Sequence, residues 1–152
     1  MAQSINIYHT PKIQTGDFQI TLTCRRDEES GEPQTLVNPT YTVVYNYGKY
    51  KRVDNICFIT FHIKAEITNQ GQGYSSLGNL PFTSLSGAGG QALAMQEMGG
   101  AIITSLPGLT CTIPDGTTQV NLEQNNGISA CTWDTGTVWI GFSGSYFINE
   151  NP

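Results

Sequence analysis

The chain has 152 residues, of which only 12% are charged, and its formal net charge is −5. A chain of this length forms one domain and buries a sizeable core without needing a disulfide or a metal. Seven basic residues against twelve acidic ones argue against nucleic acid or an anionic membrane as the main partner, because both attract basic surfaces. Thr, Asn, Gln and Ser replace the missing charge and make up about a third of the chain.

The N-terminal residues lack the basic and apolar runs of an export signal, and no apolar run approaches the ~20 residues of a membrane helix. We therefore expect a protein made in a cytoplasm. The four cysteines have no zinc-ligand spacing; they are Cys24, Cys57, Cys111 and Cys131. In a reducing compartment we expect buried free thiols, with a Cys111–Cys131 disulfide as the alternative.

The first half of the chain reads as strands and turns. Residues 17–24 alternate apolar and polar side chains, which predicts a half-buried strand. Residues 25–39 are predicted to form a charged loop. Residues 41–50 are rich in Tyr and Val, and we expect Gly48-Lys49 to break this run. The clearest element is residues 55–67, whose period of two predicts a long strand with one apolar face, formed by Cys57, Ile59, Phe61, Ile63, Ala65 and Ile67.

Residues 84–100 are ambiguous, because a stretch with helix-forming residues, 91–98, lies between two glycine pairs. We expect a mobile excursion with a short helix, and a contact loop in which Gln91 and Gln96 are candidate ligand or subunit contacts. Short strands follow at residues 101–104, 109–113, 117–123 and 128–133, with turns at Asp115-Gly116 and Asn126-Gly127. A final strand covers residues 138–148.

About eight short strands with this turn chemistry predict an all-β fold, an antiparallel β-sandwich or jelly roll. We expect this domain to span residues 16–152 and to follow a short N-terminal arm, residues 1–15.

Candidate catalytic groups are few. The only histidines are His9, in the N-terminal arm, and His62, on the polar face of a predicted strand. The Gly-x-Ser-x-Gly nucleophile elbow is absent, the carboxylates are scattered, and the glycine run of residues 87–90 lacks the Lys-Ser/Thr of a phosphate loop. We therefore expect no enzymatic activity, no cofactor and no metal site.

Aromatic residues are the better candidates for binding. Alternation places Trp139 opposite Val138 and Ile140, on a face whose other residues are small. Such a Trp serves as a platform for a sugar ring, as an anchor in a subunit interface, or as a residue covered by a second layer of the sandwich. Three further candidates, which their odd numbering predicts to share a face, are Tyr41, Tyr45 and Tyr47.

Four segments of the chain together resemble a known family. They are Thr15-Gly16-Asp17-Phe18, the run from Tyr47 to Asn55 (YGKYKRVDN), the run from Leu77 to Thr83 (LGNLPFT), and the run from Gly136 to Tyr146 (GTVWIGFSGSY). In this order they resemble the jelly-roll domains at the C-terminal ends of bacteriophage tail fibres, tailspikes and related virion appendages. The resemblance covers about residues 15–148.

This resemblance implies a homotrimeric, non-enzymatic virion protein at the tip of an appendage, where it recognises a glycan or a protein on the bacterial surface. Its partners would be its own copies and other appendage proteins. Two alternatives stay open: a decoration or trimerisation protein without a ligand, and a carbohydrate-binding module or glycan hydrolase.

Overall fold

A computed structural model of the chain describes residues 9–26, 35–103, 109–124 and 129–149. Within these ranges the secondary structure consists of ten β-strands and contains no helix, and therefore no helix that could cross a membrane. In chain order the strands are β1 (Ile13–Phe18), β2 (Thr21–Arg25), β3 (Thr40–Val53), β4 (Ile56–Asn69), β5 (Tyr74–Gly78), β6 (Gln91–Ile103), β7 (Leu109–Ile113), β8 (Val120–Gln124), β9 (Ser129–Ala130) and β10 (Thr132–Phe147).

The described strands form one curled antiparallel sheet. Its order is β1-β3-β4-β10-β6-β7-β8-β5-β2, and β9 pairs with β8. β6 joins the two halves, because its first residues pair with β7 and the remainder pair with β10. The prediction of an all-β antiparallel fold is confirmed, and the strands outnumber the predicted eight. The predicted turn at Asn126-Gly127, residues 1–8 of the predicted arm and residues 27–34 of the charged loop lie outside the described residues.

The core lies on one face of the curled sheet, here called the inner face. The alternation predicted for β4 is confirmed, because its six apolar side chains are all buried there. In β10, the neighbour of β4, Val138, Ile140 and Phe142 are also buried. The large side chains at the centre pack edge to face, with 5.0 Å between the ring centroids of Phe61 and Phe142. β4 and β10 therefore present alternate residues to the opposite, outer face.

The prediction of a mobile excursion with a short helix at residues 91–98 is wrong. These residues begin β6, a strand of 13 residues. Leu93, Met95 and Met98 face the core, and an extra residue at Gln96 adjusts the alternation where β6 pairs with β10. Ala, Met, Gln and Glu favour a helix in isolation, but two neighbouring strands satisfy the backbone of β6 here.

The predicted break at Gly48-Lys49 is also wrong, because β3 continues from Thr40 to Val53. Gly48 lies opposite Phe18 of β1 and is covered by its ring, whose Cε1 would be 2.7 Å from a Cβ at position 48. A glycine therefore serves here to admit an aromatic ring and does not end the strand.

Side chains connect β2 to β3 where the backbone does not. β1 pairs with the second half of β3, after which the chain turns away and β2 pairs with β5. Three amide groups left facing β3 donate to side-chain oxygens: Ile20 to Asn46 Oδ1 (3.1 Å), Leu22 to Tyr41 Oη (3.1 Å) and Cys24 to Asn38 Oδ1 (3.0 Å). Asn46 Nδ2 also donates to the Ile20 carbonyl at 2.6 Å. These four bonds are called the edge bridge below.

The four cysteines are buried free thiols, as predicted, and the alternative Cys111–Cys131 disulfide is not formed. Burial raises the pKa of Cys57 to about 11 and also raises the pKa of Cys24 and Cys111. These thiols are therefore protonated at neutral pH and act as small apolar core residues.

The glycine-rich loop of residues 87–90 folds around the carboxylate of Asp115. The amides of Gly87 and Gly90 donate to it at 2.9 Å each, and the amide of Gly89 donates at 3.2 Å. All three glycines have positive φ, which points their N–H groups toward one anion. The amides of Gly90 and Gly89 are the main causes that hold the pKa of Asp115 below its ordinary value.

Replacing Asn46 by Ala should lower the free energy of unfolding by about 1–3 kcal/mol, because the N–H and C=O of Ile20 both lose their partner. Urea denaturation measures this change. Thr42→Val is the control on the same strand, since Thr42 is exposed, and it should stay within about 0.5 kcal/mol of the wild type. An Asn46→Ala protein as stable as the control would contradict this account of the edge bridge.

Replacing Asp115 by Asn should destabilise the protein at neutral pH, where the carboxylate binds three backbone amides. The folded pKa of Asp115 is lower than the value of about 3.9 in an unfolded chain, so its stabilisation is complete above that value. It is lost as the pH falls through the lower, folded pKa. Thermal unfolding of both proteins over the acid range should show the difference shrinking, and a constant difference would refute the assignment.

Candidate functional site

The outer faces of β3, β4, β10 and β6 form the candidate site. Trp139 lies on this face, as its alternation with buried Val138 and Ile140 predicts, and 38% of its surface is exposed. It stands between two residues that pair with it directly, Lys64 of β4 and Gly99 of β6. The strand positions fix its place more tightly than a loop could.

Glycine determines the position of the indole. A Cβ at position 99 would be 2.6 Å from Cε2 of Trp139, so the ring lies on the bare backbone of Gly99. Gly100, which has a φ of +86°, continues this surface beneath the ring. One side of the indole is therefore supported by β6, and the exposed remainder is available to a ligand.

Two of the three predicted tyrosines lie on the same face as Trp139. Tyr45 pairs with Lys64 and Tyr47 pairs with His62, and the two tyrosine rings are 5.8 Å apart. The Tyr47 ring is 5.4 Å from the His62 ring and inclined to it by 32°. Tyr45 and Tyr47 on β3 and Trp139 on β10 therefore form one aromatic surface, with β4 and its His62 between the tyrosines and the indole.

The prediction that Tyr41 shares this face is wrong. An irregularity in the pairing of β3 with β4, between Val43 and Tyr45, shifts the alternation by one residue. Tyr41 therefore points inward, packs against the core and accepts the Leu22 amide in the edge bridge. Counting odd positions fails across a β-bulge because the extra residue reverses the faces.

His62 and Glu97 form a pair that the sequence did not predict. His62 Nδ1 lies 3.0 Å from Glu97 Oε1, and Gly141 separates them on β10. A Cβ at position 141 would be 2.5 Å from His62 Nδ1, so the glycine leaves room for the imidazole. The helix-forming composition of residues 91–98 hides this pair in the sequence, because only a strand places Glu97 opposite Gly141.

Gln91 and Gln96 make structural hydrogen bonds. The Gln91 amide accepts from the Phe147 N–H at 2.6 Å and donates to the Phe147 carbonyl at 3.0 Å. Gln96, at the bulge of β6, donates to Ser143 Oγ at 3.1 Å. The prediction that Gln91 and Gln96 contact a ligand or a subunit depends on a mobile loop. The structure shows that both residues belong to the strand β6.

Six residues of this face are called the outer platform: Tyr45, Tyr47, His62, Lys64, Glu97 and Trp139. Desolvation raises the pKa of the Tyr45 phenol, and the Glu97 and Tyr47 side chains raise it further. The phenol is therefore a hydrogen-bond donor at neutral pH. The platform combines aromatic surface with neutral and charged polar groups within one plane of side chains.

A depression of about 350 Å³ borders the platform at Tyr47 and is lined by residues 17–19 and 46–49. Another depression, about 460 Å³ and lined by Val37, residues 68–72 and Thr135, contains no charged side chain. The depression beside Tyr47 extends the candidate site toward β1, because Asp17 and Phe18 of β1 line it.

Within the described ranges no three His, Cys, Asp or Glu residues are grouped as a metal site would require.

Comparison of the chain with protein-family models, with curated proteins and with solved structures finds no match in any of the three.

Replacing Gly99 by Ala should displace the Trp139 indole, because the new Cβ would occupy the space of the ring. Acrylamide should then quench a larger share of the tryptophan fluorescence, since the other tryptophan, Trp133, is only 1% exposed. Ser145→Ala, an exposed change on the same strand as Trp139, is the control and should leave quenching unchanged. Equal quenching in the two variants would show that Gly99 does not support the ring.

Proposed function

We propose that the protein is a non-enzymatic recognition module that binds a saccharide on a bacterial surface through its outer platform. The observation that carries this proposal is the exposed surface of Trp139 and Tyr47 beside a polar rim. Aromatic rings bind the apolar faces of sugar rings, and the phenols and the His62–Glu97 pair supply hydrogen bonds to hydroxyl groups. Uncharged polar groups make such bonds without the desolvation cost of ions.

The proposal places this module in a bacteriophage virion appendage and in the jelly-roll class. Its support is the resemblance of the four sequence segments. Two of them contribute platform residues, because the run from residue 47 contains Tyr47 and the run from residue 136 contains Trp139. The curled sheet, whose halves enclose one core and meet at β6, is compatible with that class.

The proposal also includes a homotrimer. Its support is an apolar area on the outer face, at the C-terminal end of β10 and away from Trp139. Phe58 and Phe147 are each 48% exposed there, on the adjacent strands β4 and β10. Exposed aromatic pairs of this kind are typical of protein contacts. We assign this end of the face to contacts between subunits and the platform end to the ligand.

Trp139→Ala should weaken binding of a short saccharide by about tenfold or more, because removing a buried aromatic anchor from an interface costs about 2 kcal/mol or more. Phe147→Ala is the matched control on the same strand and face. It should leave the affinity of each site unchanged and should lower the mass in solution. Calorimetry with fragments of bacterial lipopolysaccharide and capsule, together with light scattering, measures both quantities.

Three outcomes would contradict the proposal. A wild-type monomer at micromolar concentration would exclude the trimer. Loss of assembly in Trp139→Ala would place the platform in a subunit interface. Release of reducing ends from a polysaccharide by the wild type would show that the protein is an enzyme.

A further inference from the structure

Lys64 has an unusual position at the centre of the outer platform. It pairs directly with Tyr45 on one side and with Trp139 on the other. Side chains at directly opposed positions have Cβ atoms about 4.5–5.5 Å apart, so the lysine stem rises between two aromatic side chains. These neighbours direct its ammonium away from the sheet, toward the space that a ligand on Trp139 would occupy.

The ammonium of Lys64 has no partner among the residues that the structure describes. The described ion pairs of other cations are Lys49 with Asp17 and Arg25 with Glu123, and the imidazoles of His62 and His9 lie 3.0 Å from the carboxylates of Glu97 and Asp54. No carboxylate of the described ranges lies within 4.0 Å of Lys64, and the described cation–π contacts involve only Arg25 and Arg52. A charge left in this state is available to an external anion.

The nearby carboxylates have other partners. Glu97 is paired with His62 at 3.0 Å. Glu66, which follows Lys64 on the same face of β4, accepts a hydrogen bond from the Thr137 hydroxyl. Among the described residues, Lys64 is therefore the one charged side chain of the platform without a polar partner, on a chain whose net charge is −5.

We infer that the outer platform binds a sugar that carries a carboxylate, with Lys64 as the partner of that group. The inference rests on the proposed saccharide-binding function and adds the charge class of the ligand. A single ammonium matches the single negative charge of a hexuronate or a sialic-type sugar. The ring of this sugar would lie on Trp139 or Tyr45, which flank the lysine.

The experiment compares acidic bacterial polysaccharide fragments with the same fragments after chemical reduction of each carboxylate to an alcohol. Wild-type protein should bind the acidic fragment about tenfold more tightly than its reduced form, and rising salt should decrease this preference. Lys64→Met should remove the preference. Lys12→Met, which makes the same change at an exposed position before β1, is the control for net charge and should retain it.

The outcomes separate the inference from the proposed function. Equal affinity of the wild type for both forms, with Trp139→Ala still weakening both, would overturn the role of Lys64 and leave saccharide binding intact. A Lys64→Met variant that keeps the preference would overturn it as well. Failure of the wild type to bind any acidic or neutral fragment would overturn both claims.

Discussion

The edge bridge is the interaction on which the rest of the structure depends. A curled sheet has two edges, and in this chain the consecutive strands β1 and β2 belong to opposite ones. The side chains of Asn38, Tyr41 and Asn46 satisfy three amides in and just before β2 that face β3, so the two edges are held together where no ladder of backbone bonds continues. Because a buried amide without a partner is costly, these side chains determine how far the sheet can open. They also keep β3 in place, and β3 carries the two tyrosines of the platform.

Glycines admit aromatic side chains on both faces of the sheet. Gly48 receives Phe18 on the inner face, whereas Gly99 receives Trp139 and Gly141 receives His62 on the outer face, in each case from the directly paired position on the next strand. An aromatic ring lying across a glycine covers backbone that would otherwise be exposed, and it loses conformational freedom in return. The platform is consequently a fixed arrangement of rings.

Much of the fold could be predicted from the sequence, because β4 and β10 alternate regularly and their buried residues are unambiguous. β6 could not be predicted, since its Ala, Met and Gln residues favour a helix and only the pairing with β7 and β10 makes them a strand. For the site, the outward position of Trp139 followed from alternation alone. The inward turn of Tyr41 and the His62–Glu97 pair depend on a bulge and on strand order, which are properties of the folded sheet.

The platform residues all lie within strands, and this restricts how the recognition surface can evolve. Inserting or deleting one residue in β4 or β10 would exchange inner and outer faces beyond that point and would expose the core. New specificity can therefore arise by point substitution at positions such as 45, 64 and 139, while changes of length are confined to connections outside these strands. Proteins that descend from this chain should accordingly share one backbone and differ in the chemistry of a few side chains on the outer face.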